Sequence, residues 1–251
     1  MEFLDYFSSH ANLYAEFRPT YHDSLFQYLA SICKEKAFAW DCATGNGQAA
    51  EGLIRHFHSV VASDGSRKQI QQAKERQRIM YFVALAEQPP LPDSVADLVT
   101  IAQALHWLKH EPFFNEINRV LKPDGIVTAW CYNLLEVDPA IDATLLKYYW
   151  EIVGPYWAPE RRLLEQGYRT IHFPFVELSA PTFYVEADWN LENLIGYLRT
   201  WSATQKYMRV KNADPLKLIL SDLTAAWGNP KTNRHIVWPL SLRIGRKKTP
   251  A

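Results

Sequence analysis

The segment Asp41-Cys-Ala-Thr-Gly45-Asn-Gly47-Gln is the part of the chain best equipped for chemistry. An apolar run precedes it and a helical pattern follows, so it reads as a strand-to-helix turn. Glycines there let backbone N–H groups approach a ligand without a Cβ in the way. Gly45-x-Gly47-x-x-Ala50 also satisfies a loose dinucleotide pattern, and Asp64, at the end of the next strand, is placed to bind a ribose or to cap a helix. Asp41 narrows the choice. A carboxylate just before the glycines attracts a cationic amino group and repels a pyrophosphate. Other chemistries find no motif: there is no Gly-x-x-x-x-Gly-Lys loop and no Gly-x-Ser-x-Gly elbow, and His110-Glu111-Pro-Phe-Phe lacks the second histidine of a zinc protease helix.

The elements that must position this loop follow from periodicity. Short apolar runs at 37–40, 59–63, 79–84, 96–102 and 126–132 predict strands, and residues 19–33, 48–57, 66–78 and 111–121 predict helices between them. That alternation is the pattern of a parallel sheet covered on both faces. Lys122-Pro123-Asp124-Gly125 reads as the stop of the fourth helix. Beyond residue 132 the rhythm changes: 138–153 predicts a helix broken by an aromatic and proline-rich stretch at 154–159, 170–178 and 182–187 read as extended, 191–211 and 214–227 as helical, and 234–246 as a final strand.

The chain has 251 residues with 48% hydrophobic side chains, and 27 basic and 27 acidic groups cancel to a net charge of zero. Neutrality argues against binding phosphate backbones by bulk charge. No apolar stretch approaches the ~18 residues of a membrane span, and no secretory signal is visible. Cys33, Cys42 and Cys131 are too widely spaced for a zinc pair and odd in number, so neither metal nor disulfides are expected. A cytoplasmic protein with no nucleic-acid or membrane partner is the expectation; the oligomeric state is left open.

The order of these motifs resembles the class I S-adenosylmethionine-dependent methyltransferases, and within them the trans-aconitate methyltransferase-like branch. The resemblance is carried by Asp41 to Gly47, Asp64, Ala86-Glu87, Ala102-Gln-Ala-Leu-His106-Trp107 and Arg119-Val-Leu-Lys-Pro-Asp-Gly125. Ala43 and Asp124 stand where the family often has glycine. The resemblance implies an α/β, doubly wound, mostly parallel seven-stranded sheet with a helical cap. It implies one domain over 1–251: an N-terminal lid and helix (1–36), a cofactor-binding core (37–132), and cap helices with closing strands (133–251).

It also implies S-adenosyl-L-methionine as cofactor, S-adenosyl-L-homocysteine as product, and a small-molecule acceptor methylated most readily on a carboxylate or hydroxyl oxygen. Asp41 and the backbone of Ala43, Gly45 and Gly47 would hold the methionine part, Asp64 the ribose, Ala86 and Glu87 the adenine edge. Gln103, His106 and Trp107 would lie beside the reactive methyl, with His106 the candidate base for an acceptor that needs one. Tyr14, Arg18 and Tyr21 resemble the family's lid. Arg161, Arg199, Trp201 and Tyr207 are candidates for the acceptor site, where a guanidinium would clamp a carboxylate; each has a plainer reading as packing or solvated surface. Two further readings stay open at this point, a cofactor-binding module without catalysis and an NAD-dependent oxidoreductase. Six of the nine tryptophans lie beyond residue 132, which predicts an apolar, aromatic-walled acceptor pocket with one or two charged anchors.

Overall fold

The computed structural model describes residues 19–248. Helix α1 (Asp23–Ser31) leads into β1 (Phe38–Cys42), α2 (Gln48–Leu53), β2 (Ser59–Asp64), α3 (Arg67–Ile70), β3 (Ile79–Val83) and β4 (Ala96–Ala102). A 3-10 turn (Leu105–Trp107), α4 (His110–Val120) and β5 (Leu121–Tyr132) complete the first half. The second half holds α5 (Pro139–Lys147), α6 (Arg161–Glu165), β6 (Val176–Leu178), β7 (Tyr184–Trp189), α7 (Leu191–Arg199), α8 (Ser202–Lys211), α9 (Leu220–Trp227) and β8 (Arg234–Arg246).

The strands run in the order β3-β2-β1-β4-β5-β8-β6, and β7 pairs with the first half of β8. The five strands β1 to β5 are parallel, and β8 is antiparallel to its neighbours. This is the mixed, mostly parallel α/β sheet expected from the alternation. β1, β2 and β4 are buried on both faces, which is why their sequences are nearly continuous apolar runs. One face packs on α1, α2 and the cap through Phe26, Leu53, Trp130 and Trp238. The other packs on α4 and the 168–175 segment through Trp40, Phe113, Ile117 and Phe173. Asp97, 4% exposed, fastens the entry to this sheet: its carboxylate accepts the Ala37 and Phe38 N–H groups at 2.8 Å each and meets the Lys122 ammonium at 2.7 Å.

Several elements depart from the periodic reading, each for a local reason. The helix expected over 66–78 stops at Ile70, because the polar run that follows offers no apolar stripe to bury. The turn at 122–125 is a bulge inside β5: Ala96 pairs with Leu121 and Leu98 with Ile126, with Asp124 at φ +63°. The segment 138–153 is α-helical only to Lys147, then forms a π turn over Tyr148–Ile152 that buries both Tyr148 and Tyr149. The helix expected over 191–211 breaks at Thr200, whose hydroxyl donates to the Tyr197 carbonyl at 2.6 Å; Trp201 then takes an extended conformation and turns its ring inward, 4% exposed.

Candidate active site

The loop after β1 is built from left-handed residues: Ala43 at φ +53°, Gly45 at +59° and Gly47 at +89°. A Cβ on Gly47 would stand 2.5 Å from the Tyr81 hydroxyl, so that position has no room for one. At Gly45 the same atom would meet only Gln69 Oε1, at an ordinary contact distance of 3.9 Å, so little crowds that side of the loop. Asp64 shapes the loop, accepting the Gly45 N–H at 2.9 Å on one oxygen and the Ser66 N–H at 2.8 Å on the other. The cap of α3 is Ser66, so Asp64 is not the helix cap.

Asp41 is fully buried below the loop. Its carboxylate accepts hydroxyl hydrogens from Thr44 and, at 2.7 Å, from Thr100. Burial raises its pKa to about 6 against the pull of those hydrogen bonds, and Asp64 adds to the rise. Ala86 is buried, and Glu87 accepts the Lys109 N–H at 3.1 Å, tying the loop after β3 to the start of α4. The expected residues at the carboxyl ends of β1, β2 and β3 thus converge on one edge of the sheet.

A second group gathers where β4 and β5 end. Gln103 holds φ +56°, with its N–H bonded to the Trp130 carbonyl and its side-chain amide donating to the Tyr132 carbonyl at 3.3 Å. It lines a cavity of about 50 Å³ together with His106, Trp107, Asn133, Trp157, Arg161 and Trp201. Arg161 enters from α6. Its Nε donates to the Tyr149 hydroxyl at 2.9 Å, and its guanidinium lies 4.5 Å above the Trp157 ring. Among the described residues no carboxylate pairs with it. His106 is 5% exposed, and its Nδ1 lies 2.9 Å from the Tyr168 hydroxyl. Burial, with Arg161 and His110 nearby, pushes its pKa down to about 3, so the ring is neutral at physiological pH.

The remaining candidates fall elsewhere. Arg199 pairs with Asp214 at 3.2 Å and is half exposed, Tyr207 packs on Tyr156 at 4.9 Å, and Tyr21 packs edge-on against Trp130 at 5.4 Å. Tyr14 and Arg18 lie outside the described residues. The expectation that the later tryptophans crowd the acceptor pocket needs correction. Of the six, Trp157 and Trp201 line the cavity; Trp227 and Trp238 are core, Trp189 packs on Trp238, and Trp150 is 55% exposed. The antiparallel pairing of β7 with β8 takes up Trp189 and Trp238, and the packing of α9 takes up Trp227. Tyr149, Glu165 and Tyr168, which organise the cavity, carry no spacing signal that marks them in the sequence.

Residues 40–129 match the family model described as a methyltransferase domain. A Dictyostelium discoideum protein assigned as a methyltransferase is 34% identical over 98% of this chain and 97% of its own length. The chain belongs to the methyltransferase family. A solved structure of an Anaeromyxobacter dehalogenans protein assigned as a type II methyltransferase is 40% identical, superposes with a TM-score of 0.88, and covers 93% of this methyltransferase and 100% of itself. The Aspergillus candidus methyltransferase cfoB is 25% identical over 76% of the chain and 67% of its own. The protein is therefore an S-adenosylmethionine-dependent methyltransferase, which sets aside the oxidoreductase reading. The uncrowded side of the loop at Gly45, shaped by Asp64, fits that cofactor. Among the described residues of this methyltransferase no helix is long and apolar enough to cross a membrane, and no cluster of three metal-ligating side chains occurs.

Proposed function

We propose that this methyltransferase, as in the trans-aconitate-like branch it resembles, transfers the methyl group to an oxygen of a small carboxylate acceptor held in the cavity between β4, β5 and α6. The observation that carries this reading is Arg161, a guanidinium stacked on Trp157, tied at Nε, and without a carboxylate partner among the described residues. Its remaining N–H groups form a fork suited to two oxygens.

When bound, S-adenosyl-L-methionine supplies an electrophilic methyl on a sulfonium and leaves as S-adenosyl-L-homocysteine. In this reading the loop Ala43 to Gly47, braced from beneath by the buried Asp41, holds its amino acid part, Asp64 its ribose, and Ala86 and Glu87 its base. Residues 37–132 serve the cofactor and also supply Gln103, His106 and Trp107 to the acceptor wall, which the residues after 132 otherwise build. Arg161 orients the carboxylate, while Trp107, Trp157 and Trp201 exclude water from it. Alignment is the main catalytic lever, worth up to ~7 to 11 kcal/mol in ideal geometry. A carboxylate is already ionised at neutral pH and needs no base, which agrees with a histidine too hard to protonate to serve as one.

The test is transfer of labelled methyl from S-adenosylmethionine to a panel of small carboxylates, phenols and amines, with identification of the product. Base-stable labelled amines and no labelled esters would overturn the carboxylate reading.

A further inference from the structure

Tyr168 holds an unusual position for a residue the active site never exposes. It is fully buried with φ +61°, directly after Gly167 at +58°, and a non-glycine side chain stays in the left-handed region only when its surroundings impose it. The imposing group is Arg243 of β8, itself 9% exposed. Its Nη1 donates to the Tyr168 carbonyl at 2.8 Å and the Ile171 carbonyl at 2.6 Å, its Nη2 meets Glu177 at 2.6 Å, and its guanidinium lies 4.5 Å above Phe173. A buried arginine thus fixes one backbone turn, and that turn delivers a hydroxyl to His106.

The direction of the Tyr168–His106 hydrogen bond follows from counting donors. If Nδ1–H donated to the phenol oxygen, the phenol hydrogen would need another acceptor inside a sealed site. The neighbouring Cys131 sulfur, whose own thiol donates to the Leu164 carbonyl at 3.6 Å, is a weak one. A stranded buried donor costs ~1 to 3 kcal/mol. Tyr168 therefore donates to Nδ1, and the ring proton sits on Nε2.

Resting on the carboxylate reading above, we propose that His106 is a neutral hydrogen-bond donor for the acceptor's oxygen through Nε2–H, its tautomer locked by the positioning residues Tyr168 and Arg243. With Arg161 it would form a two-point oxyanion receptor, one point charged and one neutral. The weak basicity of the buried ring keeps the tautomer from being lost to protonation in the working pH range.

Nitrogen-15 NMR of histidine-labelled full-length protein, with the His106 signals assigned by their absence in His106→Gln, tests the tautomer directly. The expected result is a proton on Nε2 that does not titrate between about pH 5 and 8, and an Nε2–H signal that shifts when acetate is added. In assays, Tyr168→Phe should mix the tautomers and raise KM for the acceptor ~2-fold with kcat little changed, because about half of the molecules would then lack the Nε2 proton. His106→Gln, which keeps an N–H near the Nε2 position, should retain more activity than His106→Ala. A proton on Nδ1, a ring titrating between about pH 6 and 7, an Nε2–H signal indifferent to acetate, or equal loss in the Gln and Ala variants would overturn the inference. The NMR tautomer does not depend on which acceptor is methylated, so failure of the carboxylate reading would show instead in the product panel.

Discussion

Arg161 and Glu165 stand one turn apart on α6, yet the Tyr149 hydroxyl separates them, accepting from Arg161 Nε at 2.9 Å and donating to Glu165 at 2.6 Å. A direct (i, i+4) ion pair would have occupied the guanidinium fork. The intervening tyrosine, brought in by the π turn, steadies the arginine and leaves its fork toward the cavity.

Arg161→Ala should therefore lower kcat/KM for a carboxylate acceptor ~10- to 100-fold, the range for hydrogen bonds to a charged group. Arg161→Lys should recover only part of this, because a point charge does not reproduce a bidentate fork. Steady-state kinetics check both, with the loss expected mainly in KM. Equal activity of all three proteins would remove Arg161 from the acceptor site.

Tyr149→Phe should allow Arg161 and Glu165 to pair. The expected outcome is a loss of acceptor affinity with thermal stability nearly unchanged, measured by KM and by the unfolding midpoint. Loss of stability without any change in KM would contradict it.

Two buried groups give opposite pH dependences. His106 has its folded pKa depressed from 6.5 to about 3, so its contribution to stability is present above pH 6.5 and falls as the unfolded chain takes up a proton below that value. By pH 5 the loss is ~2 kcal/mol. Asp41 has its folded pKa raised from 3.8 to about 6, so its contribution is full below pH 3.8 and is lost as pH rises through 6. Denaturant melts of His106→Gln should lose less stability than the parent between pH 6.5 and 5, and Asp41→Asn should gain relative to the parent at pH 7. Parallel curves for all three proteins would refute both assignments.

The glycine loop allows a sharper test. Gly47→Ala places a Cβ 2.5 Å from the Tyr81 hydroxyl at φ +89°, and should cost ~2 kcal/mol or more together with cofactor affinity. Adding Tyr81→Phe should restore part of the stability. Ala43→Gly should be neutral or stabilising, since it relieves φ +53° in the same loop. Calorimetry with S-adenosylhomocysteine reads affinity and stability together.

The sequence made the cofactor half legible because buried parallel strands need nearly unbroken apolar runs. β4 at Ala96–Ala102 matches the expected bounds for that reason, while the antiparallel β8 at Arg234–Arg246 matches them through its alternating burial. The loop from Asp41 to Gly47 was visible as well, since its glycines meet local backbone demands. The acceptor wall was not. Tyr149 depends on a π turn, Trp201 on a broken helix, and Tyr168 on an arginine contact spanning 75 residues, and none leaves a periodic trace. Arg199 read like Arg161 in the sequence, and only the Asp214 contact separates them.

The course of β8 bears on how the molecule is assembled. Its second half pairs with β5, joining Arg246 to Ile126, while its first half pairs with β7. The pairings among β1 to β5 join segments no more than about 60 residues apart, but this pairing brings together segments more than a hundred residues apart, a slow step for a folding chain. Arg243 sits on the same strand, so the turn bearing Tyr168 is unsupported until β8 docks. The acceptor wall thus hangs on the most distant of these strand pairings, whereas the glycine loop is held by contacts made within residues 38–132, so a change in β8 reaches the choice of acceptor before it reaches the loop.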